Sequence, residues 1–162
     1  MNLGFSAGEI FEIAEQIERN GASFYRKAAD GTDESDMKRK LLELAEMEDD
    51  HLAIFTAMMD ELSNLERIEP VFDPDNVAVL YLQAFADTHV FNAKADPCEK
   101  LTGRESLEDI LSMAIGLEKD SIVFYVGMRE MVPERLGKDK IYRIIKEEMS
   151  HVVMLTDELS AL

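Results

Sequence analysis

The sequence EDDH at residues 48–51 and the sequence EMSH at residues 148–151 share the pattern Glu-x-x-His and lie one hundred residues apart. The chain contains only three histidines, and two of them occupy these matched positions. The same offset relates ERNGASFY at residues 18–25 to EKDSIVFY at residues 118–125. Carboxylate, imidazole and aromatic pair recur together, which indicates an internal duplication.

The duplication divides the chain into similar segments at residues 6–67 and 106–160, joined by a connection of residues 68–105. A chain of 162 residues with 46% hydrophobic composition can bury one substantial core. We therefore expect a single domain over residues 1–162.

Apolar residues at spacings of three and four predict two helices in the first segment. Ser6 and Glu9 form a capping box that begins a helix ending near Asp30. A second helix is predicted over about residues 35–67. Because only about four residues separate them, the two helices should be antiparallel neighbours.

The second segment repeats this plan. Ser106 is the expected N-cap of a helix that ends near residue 131, and a turn at residues 133–137 leads into a final helix. The connection of residues 68–105 is too long for a bare loop. An Asp-Pro start signal and helical apolar spacing predict a crossover helix over about residues 74–92. The expected fold is an all-α four-helix bundle with a long crossover that contains a short helix.

Polar side chains interrupt the apolar stripes of all four bundle helices. Glu18, for example, is seven residues from both Phe11 and Tyr25 and shares their core-facing seam. Two helices that each provide Glu and two that each provide Glu-x-x-His form the ligand set of a dinuclear carboxylate site. The six candidate metal ligands are Glu18, Glu48, His51, Glu118, Glu148 and His151.

Clustered carboxylates indicate bound cations, because burial and mutual repulsion would otherwise favour protonation of the carboxylates. Oxygen and imidazole ligands suit iron or manganese, and zinc also fits. The single cysteine, Cys98, excludes an internal disulfide and a Cys-x-x-Cys metal site. Residue types alone leave the metal open.

Three further residues have simpler interpretations. Glu15 lies one turn before Glu18 and is expected to be a solvated carboxylate rather than a ligand. His89 is expected to pack within the crossover, and Cys98 to be a free thiol.

The net charge of −17 and the pI near 4.5 argue against binding to nucleic acids or anionic membrane surfaces. No apolar run approaches the length of about 18 residues that indicates a membrane span. The N-terminal residues are acidic and amphipathic, unlike a secretory signal. A soluble cytoplasmic protein is therefore expected.

The four motifs together resemble the rubrerythrin branch of the ferritin-like superfamily, over about residues 5–160. The resemblance implies a ferritin-like bundle that holds two iron ions and reacts with hydrogen peroxide or oxygen as a peroxidase or ferroxidase. It implies bridging ligands at Glu48 and Glu148 and terminal ligands at Glu18 and Glu118. The resemblance also implies that Tyr25 and Tyr125 are catalytic residues, whose hydroxyls donate hydrogen bonds to the terminal carboxylates.

Two departures from that family affect the expected function. Rubrerythrins carry another carboxylate one turn from the first on the third bundle helix, whereas the one-turn neighbours of Glu118 are Ile115 and Ser121. The family's four-cysteine rubredoxin module has no counterpart here, so we expect an external electron donor such as a rubredoxin-like protein. A non-catalytic iron carrier or storage-associated protein is the alternative. The apolar crossover at residues 77–91 favours a homodimer.

Overall fold

The computed structural model describes residues 4–87 and 96–162. Within these ranges the chain is helical, with no β-strand and one isolated bridge between Ser6 and Pro70, which confirms the all-α prediction. The α-helices are α1 (Ala7–Asp30), α2 (Ser35–Asp60), α3 (Asn64–Ile68), α4 (Val77–Asp87), α5 (Leu107–Met131) and α6 (Lys138–Ser160). Short 3-10 helices form at Pro97–Lys100 and Glu134–Leu136.

The long helices pack as two pairs, α1 with α2 and α5 with α6. One apolar cluster joins the start of α1 and of α6 to the end of α2 and of α5. A second cluster joins the opposite ends of the same four helices. Because α2 and α5 run in the same direction, the connection between them must return along the bundle, as a crossover does.

The predicted second helix was too long. Helix α2 ends at Asp60, and Ser63 begins the separate helix α3. Ser63 has an extended backbone, its hydroxyl accepts from the Glu66 amide, and the Glu66 carboxylate accepts from the Ser63 amide. This capping box favours a new helix start over continuation of α2.

The crossover helix begins later than predicted, at Val77. Asp73 and Asn76 first form a turn, in which the Asn76 amide donates to the Asp73 carbonyl at 3.1 Å and Asn76 has φ 52°. The Asp73 carboxylate then accepts from the amide of Val79 at 3.0 Å. The predicted residues 88–92, together with His89, lie outside the described residues.

Helix α4 packs directly on α5. The Tyr81 hydroxyl donates to the carbonyl of Val123 at 2.8 Å. Gly127 permits this approach, because a Cβ at that position would lie 2.7 Å from the Tyr81 ring. Among the described helices, none is both long and apolar enough to cross a membrane.

Candidate metal centre

The six predicted ligands lie at one level of the bundle, between the two apolar clusters, and every one of them is buried. Helices α1 and α5 each provide one Glu, and α2 and α6 each provide Glu and His three residues apart, which places both on one helical face. The exposed fractions are 1% for Glu18, 4% for Glu48, 1% for His51, 2% for Glu118, 0% for Glu148 and 3% for His151.

These side chains form two overlapping groups, and Glu48 and Glu148 belong to both. Each group brings four ligand atoms, one from each residue, within 4.8 Å of one another. Glu18 and His51 complete the first group, while Glu118 and His151 complete the second. The arrangement therefore offers two adjacent cation positions with two shared carboxylates.

Both imidazole rings turn Nδ1 towards the carboxylates. Nδ1 of His51 lies 3.2 Å from Oε1 of Glu148 and 3.5 Å from Oε2 of Glu48. Nδ1 of His151 lies 2.9 Å from Oε2 of Glu148 and 3.4 Å from Oε1 of Glu118. The ring centroids are 6.1 Å apart. Each histidine can therefore present Nδ1 to a different cation position.

Several buried atoms of this cluster have no hydrogen-bond partner among the described residues: Nδ1 of His51, both carboxylate oxygens of Glu148, and both ring nitrogens of His151. Their close contacts lack the alignment of hydrogen bonds. Buried polar atoms are otherwise almost always paired. The Nδ1 atoms and the Glu148 oxygens converge, and a bound cation would satisfy such convergent lone pairs, so the donor set fits a pair of metal ions.

Burial raises the pKa of Glu18 and Glu118 well above the usual carboxylate range, and the charge of Glu48 adds to this effect. Burial alone would also raise the pKa of Glu148, but its contacts with the two histidines lower it to about 2. Burial would lower the pKa of His151, but its contacts with Glu118 and Glu148 raise it to about 10. The cluster thus favours positive charge beside its carboxylates, which metal cations would also provide.

The two predicted tyrosines donate hydrogen bonds across the bundle. Tyr25 on α1 donates to Oε1 of Glu118 on α5, and Tyr125 on α5 donates to Oε1 of Glu18 on α1. Burial, together with the facing carboxylate, raises the pKa of each tyrosine, so the hydroxyl remains a donor. The crossed pairing was not part of the sequence-based prediction.

The residues at positions 21 and 121 differ in their relation to the cluster. A Cβ on Gly21 would lie 3.3 Å from Cδ of Glu48, so the glycine leaves room beside that carboxylate. Ser121 donates through its hydroxyl to the Leu117 carbonyl at 3.1 Å, within its own helix. Neither position adds a carboxylate to the cluster.

Glu15 differs from expectation because it is only 8% exposed. It accepts a hydrogen bond from Thr56 at 2.8 Å and pairs with Arg19 at 2.8 Å. These partners offset its burial, and Glu15 belongs to neither cation group. Cys98 is partly buried and forms no disulfide.

Glu147 is not among the predicted site residues, yet its carboxylate oxygen Oε2 lies 2.8 Å from Nε2 of His51. This contact joins α6 to α2 on the side of the imidazole that faces away from the cluster. Glu147 immediately precedes Glu148, but no spacing within α6 indicates which residue of α2 it meets.

Comparison with known proteins supports the fold and the type of site. No protein-family model and no curated protein sequence matches the chain. The chain is similar to a crystal structure from Thermotoga maritima described as a ferritin-like diiron-carboxylate protein. The TM-score is 0.77 and the identity 25%, over 97% of this chain and 96% of that chain. The protein therefore has a ferritin-like helical bundle whose buried Glu and His cluster fits di-iron binding, and the rubrerythrin subtype stays a prediction.

Proposed function

We propose that the protein is a di-iron oxidoreductase of the rubrerythrin-like type, which reduces hydrogen peroxide or oxygen with electrons from an external donor. The observation that carries this proposal is the pair of buried cation positions that share Glu48 and Glu148. One ion would be held by a single group of four ligands, whereas two overlapping groups provide positions for two ions.

In this proposal Glu48 and Glu148 bridge the two ions, and each ion has one further Glu and one His. Glu18 and His51 serve one position, and the corresponding residues of the second helix pair serve the other. The unpartnered Nδ1 of His51 supports this division. Manganese or zinc would fit the same donor atoms.

Reduction of one hydrogen peroxide to two water molecules takes two electrons and two protons, and a bound pair of ferrous ions would supply the electrons. The chain's own residues keep the site dry and oriented. Tyr25 and Tyr125 hold their hydroxyl protons beside the carboxylates of Glu118 and Glu18, and so restrain these two ligands. The apolar clusters on either side exclude water.

An external donor belongs to the proposal because these 162 residues contain one cysteine and so no four-cysteine iron centre. A rubredoxin-like protein is the proposed donor.

The proposal also includes a cytoplasmic homodimer. Support for the dimer comes from large exposed apolar side chains in α3, in α4 and in the connection between them, at Leu65, Ile68, Phe72, Val77 and Leu80. Support for a reducing compartment comes from the single thiol.

A non-catalytic iron carrier is the second candidate, and Ser121 favours it. Position 121 holds a serine, so the α5 carboxylate that rubrerythrins use in their redox cycle has no equivalent there, and the Ser121 hydroxyl donates instead to the Leu117 carbonyl. In a carrier, the same six ligands would bind iron and release it to an acceptor.

The test begins with protein purified without oxygen, which should hold about two iron ions per chain. Rapid mixing of the ferrous protein with one equivalent of hydrogen peroxide should oxidise both ions in one fast turnover and then stop. A rubredoxin-like donor with its reductase should restart peroxide consumption. The variant Glu48→Ala should not react, while Glu46→Ala, which removes an exposed carboxylate from the same helix, should behave as wild type.

Two results would contradict the proposed activity. Iron that enters and leaves the ferrous protein without any reaction with peroxide would select the carrier. Steady peroxide consumption with a reduced nicotinamide alone would refute the need for an external protein donor.

A further inference from the structure

The outward-facing nitrogens of the two cluster histidines have different surroundings. Nε2 of His51 lies 2.8 Å from Oε2 of Glu147, a carboxylate whose side chain is 41% exposed. A carboxylate at this position accepts, so the imidazole carries its proton on Nε2. The lone pair on Nδ1 then points at the carboxylates of the cluster, as a metal ligand requires.

Nε2 of His151 has no such partner. It is buried, and no hydrogen-bond acceptor among the described residues reaches it. The repeat offset of one hundred residues explains the difference, because Met47 occupies the position in α2 that Glu147 occupies in α6. A thioether is at best a weak acceptor and carries no charge. His151 therefore lacks the contact that sets the tautomer and orientation of His51.

We infer that Glu147 is a positioning residue that makes the two metal positions unequal, so that the position served by His51 binds its ion more tightly and fills first. This inference rests on the proposed metal site, and it concerns the order of loading rather than the reaction. Partners that hold a ligating histidine typically contribute about 10-fold to 100-fold in metal affinity. A difference of that size between the two positions is expected in the wild type.

Stepwise binding of Co²⁺ to the metal-free protein, followed through its visible absorption without oxygen, measures the two affinities directly. The wild type should bind two ions with dissociation constants that differ about 10-fold or more. Glu147→Ala should weaken the tighter constant about 10-fold and leave the weaker one unchanged. Glu147→Gln, whose amide oxygen still accepts, should restore part of the loss. Glu46→Ala controls for the removal of one exposed negative charge.

The reverse substitution tests the role of Met47. Met47→Glu places a carboxylate at the repeat-related position and should tighten the weaker constant, so that the two constants approach each other. An unchanged gap would overturn the claim that the Met47 and Glu147 difference causes the inequality.

A double-mutant cycle shows whether Glu147 acts through His51. Glu147→Ala should have no further effect in a His51→Ala background, and its full effect on the remaining ion in a His151→Ala background. An effect that persists without His51, or equal weakening of both constants in the single variant, would overturn the inference. Two equal constants in the wild type would overturn the inference and leave the di-metal proposal intact. A wild type that binds no Co²⁺ and no Fe²⁺ would overturn both.

Discussion

The helix pairs α1–α2 and α5–α6 each present two Glu and one His to the centre of the bundle, but the residues beside these ligands differ. His51 contacts Glu147, whereas the repeat-related position in α2 holds Met47. Gly21 leaves space next to Glu48, whereas its counterpart is a serine that bonds to its own helix. The two helix pairs therefore provide the same candidate metal ligands but differ in the residues that surround those ligands.

A third difference lies one turn from the first Glu of each pair. Glu15 is buried and held by Thr56 and Arg19, while the corresponding residue of α5 is Ile115. Burial of a carboxylate is tolerated in α1 because two partners are provided for it. A repeat can therefore keep its ligand set and still surround its two candidate metal positions with different supporting residues, which is the basis of the inferred difference in affinity.

The largest effect should come from the shared carboxylates, which do not belong to one helix pair alone. Replacement of Glu48 or Glu148 by Ala should abolish binding of both ions, because each serves both positions. Replacement of Glu18 or Glu118 should weaken mainly one ion. Elemental analysis after desalting distinguishes these outcomes. Retention of both ions in Glu148→Ala would mean that this residue does not bridge the two helix pairs.

Removal of the metal ions should weaken the interaction between the two helix pairs and lower the stability of the protein. Without cations the cluster retains four buried carboxylates, so the metal-free protein should melt at a lower temperature at neutral pH. At a free metal concentration of about 100 Kd, each ion should add about 2.7 kcal/mol to the free energy of unfolding. Calorimetry with and without added metal measures this difference, and Glu148→Ala provides the control that should not respond. Equal melting temperatures for the wild type would contradict a metal bridge between the pairs.

Each of the two tyrosines donates to a carboxylate of the other helix pair, so its loss should affect the metal position of that other pair. Tyr25→Phe removes the donor to Glu118 and should affect the ion beside His151, although Tyr25 lies on α1. The unpaired carboxylate oxygen should cost about 1–3 kcal/mol of stability. Urea unfolding and metal titration measure both effects. Tyr142→Phe, which alters a half-exposed ring on α6, should change neither.

Gly21→Ala should have two opposed effects. Alanine in a helix interior is favoured over glycine by up to about 1 kcal/mol, which should stabilise the metal-free protein. The new Cβ would press on the Glu48 carboxylate at 3.3 Å, so metal affinity should fall by ~1 kcal/mol. Calorimetry and Co²⁺ titration separate the two effects. Ser121→Ala is the matched change in the other pair and should leave metal affinity unchanged. A similar loss of affinity in that variant would contradict the proposed difference between positions 21 and 121.

The smallest effect concerns an exposed contact between the two segments. The guanidinium of Arg135 and the amide of Ser63 hold the pKa of Glu66 at about 2. A lowered folded-state pKa stabilises the protein above the unfolded value near 4.3, and this contribution is lost as the pH falls towards 2. Glu66→Gln should therefore destabilise slightly at pH 7 and less at pH 3, as measured by urea unfolding. Glu69→Gln is the control, and a pH-independent difference would contradict the assignment.

Much of the fold followed from local signals. The predicted capping box at Ser6 and the predicted N-cap at Ser106 are confirmed, and α1 and α5 begin directly after these residues. Ser63 and Glu66 carry the same signal, but the prediction did not include it and extended the second helix to about residue 67. The late start of α4 depends on a left-handed Asn76, which the Asp-Pro signal does not indicate.

The sequence by itself determined which six side chains face the centre and at what level, because helical periodicity assigns each residue to a face before any packing occurs. Only the tertiary structure decided which residues meet across helices: Tyr25 with Glu118, Tyr125 with Glu18, and Glu147 with His51. Such partners are far apart along the chain, and their meeting depends on the axial offset and rotation of whole helices. Those quantities come from the packing of the entire core, which no local spacing specifies.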